Sequence, residues 1–184
     1  MLLCFLQTFY PFFAAACDFN KNFCTWSNTK SGDVFDWTRH SGSTSSSDTG
    51  PRDDHTNMNL SSYIYIETSS PRKTGDRAIL KSERFLSPRG STCFTFWYHM
   101  YGLAIGSLTV SLDIEGLQKF KLWFLSGNQG NSWKKGQILL PVLPTEHFYI
   151  LIEGVRGGSY TGDIAVDDFV AKDVESCVKI PSTG

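Results

Sequence analysis

The chain has 184 residues, with 17 Lys and Arg against 18 Asp and Glu, for a formal charge of −1. Its length suits one packed core, and 41% hydrophobic against 19% charged residues exclude a disordered tail. Near-neutral charge also excludes a nucleic-acid binder, which needs a basic stripe to neutralise phosphates.

Residues 1–16 carry no charge, are apolar from Leu2 to Leu6 and from Phe9 to Phe13, and end in Ala14-Ala15-Ala16. A short apolar stretch closing on small residues predicts a secretory signal peptide cleaved after Ala16, although its basic flank is missing. It is too short to span a membrane, which takes about twenty residues. Cleavage removes Cys4 and leaves Cys17, Cys24, Cys93 and Cys177. Four cysteines in an exported chain read as two disulfides, with three connectivities open. No cysteine or histidine spacing suits zinc. The preferred pairing is Cys17–Cys24, a small amino-terminal loop, with Cys93–Cys177 tying the end of the chain to its middle. A loop that long constrains the unfolded chain by roughly 4 kcal/mol in the chain-entropy model.

Short strands are predicted at residues 63–67 and 78–82. Residues 94–101 are aromatic on one face and mixed on the other, as in a central strand covered on both sides. Leu108, Val110, Leu112 and Ile114 alternate with polar residues, the mark of a half-buried strand. Phe120, Leu122 and Phe124 alternate with Lys119 and Lys121 until Trp123 breaks the polar face. Further strands are predicted around Phe148, Ile150 and Ile152 and over residues 164–169. Turn signals such as Ser31-Gly32-Asp33, Thr74-Gly75-Asp76 and Gly157-Gly158-Ser159 separate them. No stretch of eleven residues shows a helical period. The expectation is all-β: an antiparallel β-sandwich of jelly-roll type. Residues 41–49 are expected to form a mobile polar loop, and residues 178–184 a short tail or linker.

Several segments, taken in order, resemble the MAM domain, the extracellular module named after meprin, the A5 antigen and receptor phosphatase mu. They are Cys17-Asp18-Phe19 with Cys24, Asp36-Trp37, Gly50-Pro51 before Asp54-His55-Thr56, and Ala78-Ile79-Leu80. Cys93, Phe96, Tyr98-His99-Met100-Tyr101-Gly102, Leu122-Trp123 and Asn131-Ser132-Trp133 continue the pattern, and Gly162 to Asp168 precede Cys177. The resemblance covers residues 17–177. It implies a jelly roll, the same two disulfides, and a role in adhesion or assembly outside the cell. Two departures stand out: Asn20 where the family shows Glu, and Asn57 to Ser62 in place of a Gly-rich approach to Tyr63.

Asp54, Asp167 and Asp168 are the best candidates for chemistry. Adjacent carboxylates in a regular strand point to opposite faces, and a buried one demands a cation or several N–H donors. Oxygen ligands of this kind suit calcium. The resemblance implies such a cation between the two chain ends, with Asn20 as a neutral ligand. No nucleophile elbow and no His-Glu-x-x-His motif occurs, so His55 and His99 are expected to make structural hydrogen bonds and the chain is expected not to be an enzyme. Trp123 and Trp133 are weighed as a sugar-stacking platform, with core packing favoured. Arg72-Lys73, Lys134-Lys135 and Arg156 read as exposed loop charges. Asn59-Leu60-Ser61 is the one N-glycosylation sequon. The function expected is a non-catalytic extracellular module holding a protein partner, a neighbouring domain or a copy of itself. An accessory domain of a larger protease or receptor, or a carbohydrate-binding jelly roll, is the alternative.

Overall fold

Period-two alternation turns one set of side chains from each strand toward a common interior, and the fold follows from where those sets meet. The structure is a computed structural model that describes residues 15–56, 61–86, 90, 92–142 and 147–182. It has two antiparallel sheets and, among the described residues, no helix. The strands are β1 (Ser27–Asn28), β2 (Thr38–His40), β3 (Tyr63–Ile66), β4 (Arg77–Lys81), β5 (Phe85–Leu86), β6 (Thr92–Met100), β7 (Ser107–Ile114), β8 (Phe120–Ser126), β9 (Gly130–Leu140), β10 (His147–Val155) and β11 (Ile164–Asp173). One sheet runs β1-β4-β10-β7-β8, with β5 also paired to β10; the other runs β2-β3-β11-β6-β9. The predicted jelly-roll sandwich is present, and Cys17–Cys24 and Cys93–Cys177 are bonded as preferred.

Between the sheets lie Leu108, Val110 and Leu112 of β7, Phe148, Ile150 and Ile152 of β10, and Phe94 and Phe96 of β6, all fully buried. Each large apolar side chain contributes about 1.5–3 kcal/mol on burial. Trp37, from the Asp36-Trp37 pair, sends its indole N–H to the Ala78 carbonyl at 3.2 Å. It packs where a side chain on Gly154 would otherwise stand, 3.0 Å from a Cβ built there. That contact is the physical reason for a glycine inside β10.

Four expectations change. Strand β9, eleven residues long, was not anticipated, because its exposed Lys134 and Lys135 hide the alternation. Residues 41–49 form a pinned loop: Thr44 and Thr49 are buried, and Thr49 Oγ1 donates to the Tyr101 carbonyl at 2.9 Å. The expected tail after Cys177 is stitched into the sheet. Ile180 exchanges two backbone hydrogen bonds with Gln137 of β9, and its carbonyl also accepts the Trp123 indole N–H at 2.8 Å. Arg156 is half-buried, its Nε donating to the Thr68 carbonyl at 2.8 Å, because a loop folds back beside it. At the amino terminus Ala15 is buried and its carbonyl accepts the Trp26 indole N–H; residues 1–14 and Asn59 lie outside the described residues.

Candidate functional site

The sequence places aromatic and titratable residues at alternate positions of the second sheet, so they share its outer face. Tyr63 and Tyr65 come from β3, Asp167 from β11, Trp97 and His99 from β6, and Trp133 from β9. The register sets Tyr65, Ala165 and His99 in one row. The long loop before β3 roofs this face. The Tyr63 hydroxyl donates to the Gly42 carbonyl at 2.6 Å, the Trp133 indole N–H donates to the Asp53 carbonyl at 2.9 Å, and His55 stacks on Trp97 with centroids 3.7 Å apart. Trp123 lies 1% exposed in the main core, and Trp133 is half-covered by the roof. Neither offers an open platform for a sugar.

The acidic trio sits under the same roof. β11 carries a bulge between Asp167 and Val170, and Asp168 has φ +49°, in the left-handed region. The bulge cancels the alternation, so the expectation of opposite faces fails: both carboxyls reach His55. Asp167 Oδ2 accepts the His55 backbone N–H at 3.4 Å, and Asp168 Oδ2 lies 2.7 Å from His55 Nδ1. Phe169 then returns to the core. Asp167 is fully buried; its burial first, then a hydrogen bond with the Asp54 carboxyl and the charge of Asp168, push its own carboxyl up to about 9. Burial and the neighbouring carboxylates thus favour the uncharged form of Asp167, hydrogen-bonded to Asp54. Asp54 Oδ1 in turn accepts from the Thr56 backbone N–H at 2.7 Å and from its hydroxyl at 3.0 Å.

The four residues expected to hold a cation are thus distributed unequally. Asp54 and Asp167 meet. Asp168 is turned to His55, and Asn20 Oδ1 accepts the Ser62 backbone N–H at 2.9 Å, clipping the amino-terminal loop to the approach to β3. Among the described residues, no group of three or more His, Cys, Asp or Glu is arranged to hold a metal ion. His55 and Asp168 make a histidine–carboxylate pair, with no hydroxyl or thiol bonded to His55 Nε2 among the described residues.

One buried carboxylate escaped the sequence reading. Asp163, 0% exposed just before β11, accepts the backbone N–H and hydroxyl of Thr68 at 3.0 and 2.9 Å, and burial pushes it up to about 6. Its signal was only its place in the Gly162-Asp163-Ile164 run, which a turn explains equally well.

Residues 17–177 match the family model described as MAM domain, meprin/A5/mu. MAM domain-containing glycosylphosphatidylinositol anchor protein 1 of Rattus norvegicus is 42% identical over 146 residues, covering 76% of this chain and 15% of that protein. Neuropilin-1a of Danio rerio is 35% identical over 170 residues, covering 89% of this chain and 18% of its own length. The chain thus spans less than a fifth of these curated relatives. In fold it is similar to the K1 cleaved adhesin domain of Lys-gingipain from Porphyromonas gingivalis W83, with a TM-score of 0.60 at 14% identity, covering 86% of this chain and 97% of that one.

Proposed function

Because the chain belongs to the MAM domain family, an extracellular module, we propose that it is a non-catalytic docking unit that holds a protein partner, a neighbouring domain or a second copy of itself at the cell surface. The observation that carries this reading is the pairing of a family match across residues 17–177 with a sandwich closed by two disulfides. Such a frame survives outside the cell and presents loops and sheet faces as fixed surfaces. Sedimentation velocity of the domain at micromolar concentration, with and without calcium, tests self-association. A dimer supports docking to a second copy; a strict monomer in both conditions removes that partner and leaves the other two.

The calcium expectation stands as a proposal on Asp54 and Asp167, whose two buried carboxyls in contact call for a cation or a proton between them. A hard cation there would take oxygen ligands and tie the roof to β11. At 100 times its Kd it would raise stability by about 2.7 kcal/mol, so unchanged melting in calcium and in chelator removes it. Asn59 is proposed as a glycan site, tested by the mass change on enzymatic deglycosylation.

A further inference from the structure

At the end of the sandwich where β6 passes into Tyr101 there is a cleft of about 290 Å³. Residues 43–52 form one wall, and Tyr101 and Asn131 the other. Ligand pockets commonly measure about 300–1,000 Å³ and are mostly apolar. This one lies just below that range, and hydroxyl-bearing residues dominate its lining. Its size excludes large apolar ligands; a small polyol remains.

The two side chains of the second wall are held by a single histidine. His99 is 2% exposed, and burial lowers its imidazole to about 4, so it is neutral at physiological pH. Its Nε2–H donates to Asn131 Oδ1 at 3.1 Å, and its ring meets Tyr101 edge-on, with centroids 6.3 Å apart. Nδ1 is buried with no hydrogen-bond partner among the described residues. An unsatisfied ring nitrogen opposes folding, and here it accompanies a histidine that orients an exposed amide and a half-exposed phenol toward one cleft. With Oδ1 occupied, Asn131 presents its Nδ2 donors.

The loop wall is complementary. Thr44 Oγ1 is buried and donates to the Thr49 carbonyl, bracing the loop, while the exposed Ser45 Oγ donates to Glu67 Oε2, so what the Ser45 hydroxyl offers further is acceptor lone pairs. Asp48 adds a carboxylate, while Arg52, which makes no side-chain hydrogen bond or ion pair among the described residues, adds donors. The wall is held in shape by Gly50, at φ +67°, because the Thr44 hydroxyl occupies the place of any Cβ. An anionic ligand would meet too many acceptors, and the opposed charges of Asp48 and Arg52 favour a neutral one.

We propose that this cleft binds a neutral saccharide. One ring face packs on Tyr101; its hydroxyls accept from Asn131 and Arg52 and donate to the hydroxyls and carboxylate of the loop. This activity is separate from protein docking and goes beyond it. The test is an array of neutral, sialylated and sulfated glycans probed with the intact domain, followed by NMR titration with galactose, glucose, N-acetylglucosamine and fucose. The expected result is retention of neutral glycans, with binding weakened at least tenfold by Tyr101→Ala and by the exposed variant Arg52→Ala, and unaltered by Leu117→Ala at the opposite end. Retention of sulfated or sialylated glycans alone overturns the proposal. So does binding that survives Tyr101→Ala, or the absence of both array signal and shifts at Tyr101 and Asn131 with the sugars in large excess.

Discussion

The two outer faces of the sandwich are built on opposite principles. On the sheet containing β7 and β10 the face is open, and long charged side chains lie across it: Lys81 is 3.2 Å from Asp113 and Arg77 is 3.7 Å from Glu153, with Lys81 also over the Tyr149 ring. On the sheet containing β6 and β11 the face is roofed, and Tyr63, His99, Asp163 and Asp167 are buried beneath the loop. Water screens the charges of the first face and leaves them nearly neutral in energy. Removing water from the second face makes each polar group costly unless it finds a partner. The open face tolerates change; the roofed face fixes geometry.

The largest expected break in this contrast is Tyr63→Ala. A fully buried ring lost beneath the roof should cost about 3–5 kcal/mol in chemical denaturation, and a loss near that of a surface change would mean that the roof is an ordinary loop. The pH dependence comes next. Asp163, held up at about 6, keeps a proton that the unfolded chain releases down to its ordinary 3.8, so acidification through that window favours the folded state. His99, held down at about 4 from an ordinary 6.5, refuses a proton that the unfolded chain accepts, so acidification through its window disfavours the folded state. Between pH 6 and 4 the melting temperature of Asp163→Asn should therefore fall behind that of the unaltered chain, and that of His99→Gln should pull ahead. Parallel curves would show that neither group is desolvated as described. Tyr63→Phe is smaller: it leaves the Gly42 carbonyl without its 2.6 Å donor, for about 1 kcal/mol. Smallest is the coupling of Lys81 to Asp113 on the open face. A double-mutant cycle should give less than about 1 kcal/mol and shrink with added salt.

The open face was legible in the residue order where β7 and part of β10 keep an alternation of polar and core residues. Thr109, Ser111 and Asp113 alternate with the core residues of β7, and Glu153 follows Ile152 in β10. The roofed face was not. Tyr63 to Ile66 are buried at every position, so period two carries no signal in β3. Asp167 and Asp168 stand out in the residue order as an adjacent pair, but their common side depends on a bulge that no local pattern announces. The residue order marks Asn20 as a candidate ligand, but gives no sign that its amide oxygen accepts a backbone N–H 42 residues away.

What the order of residues determined alone is the class of fold, because alternation sorts side chains to one interior; for the cysteines it gave a preferred pairing, which the bonded geometry then fixed. Tertiary structure alone decided which polar residues lose water. Desolvation is set by what lies overhead, and the covering segment, residues 41–56, comes from a distant part of the chain than Asp163 and Asp167. Their burial, and with it the upward shift of each carboxyl, exists only once the loop has closed over the sheet.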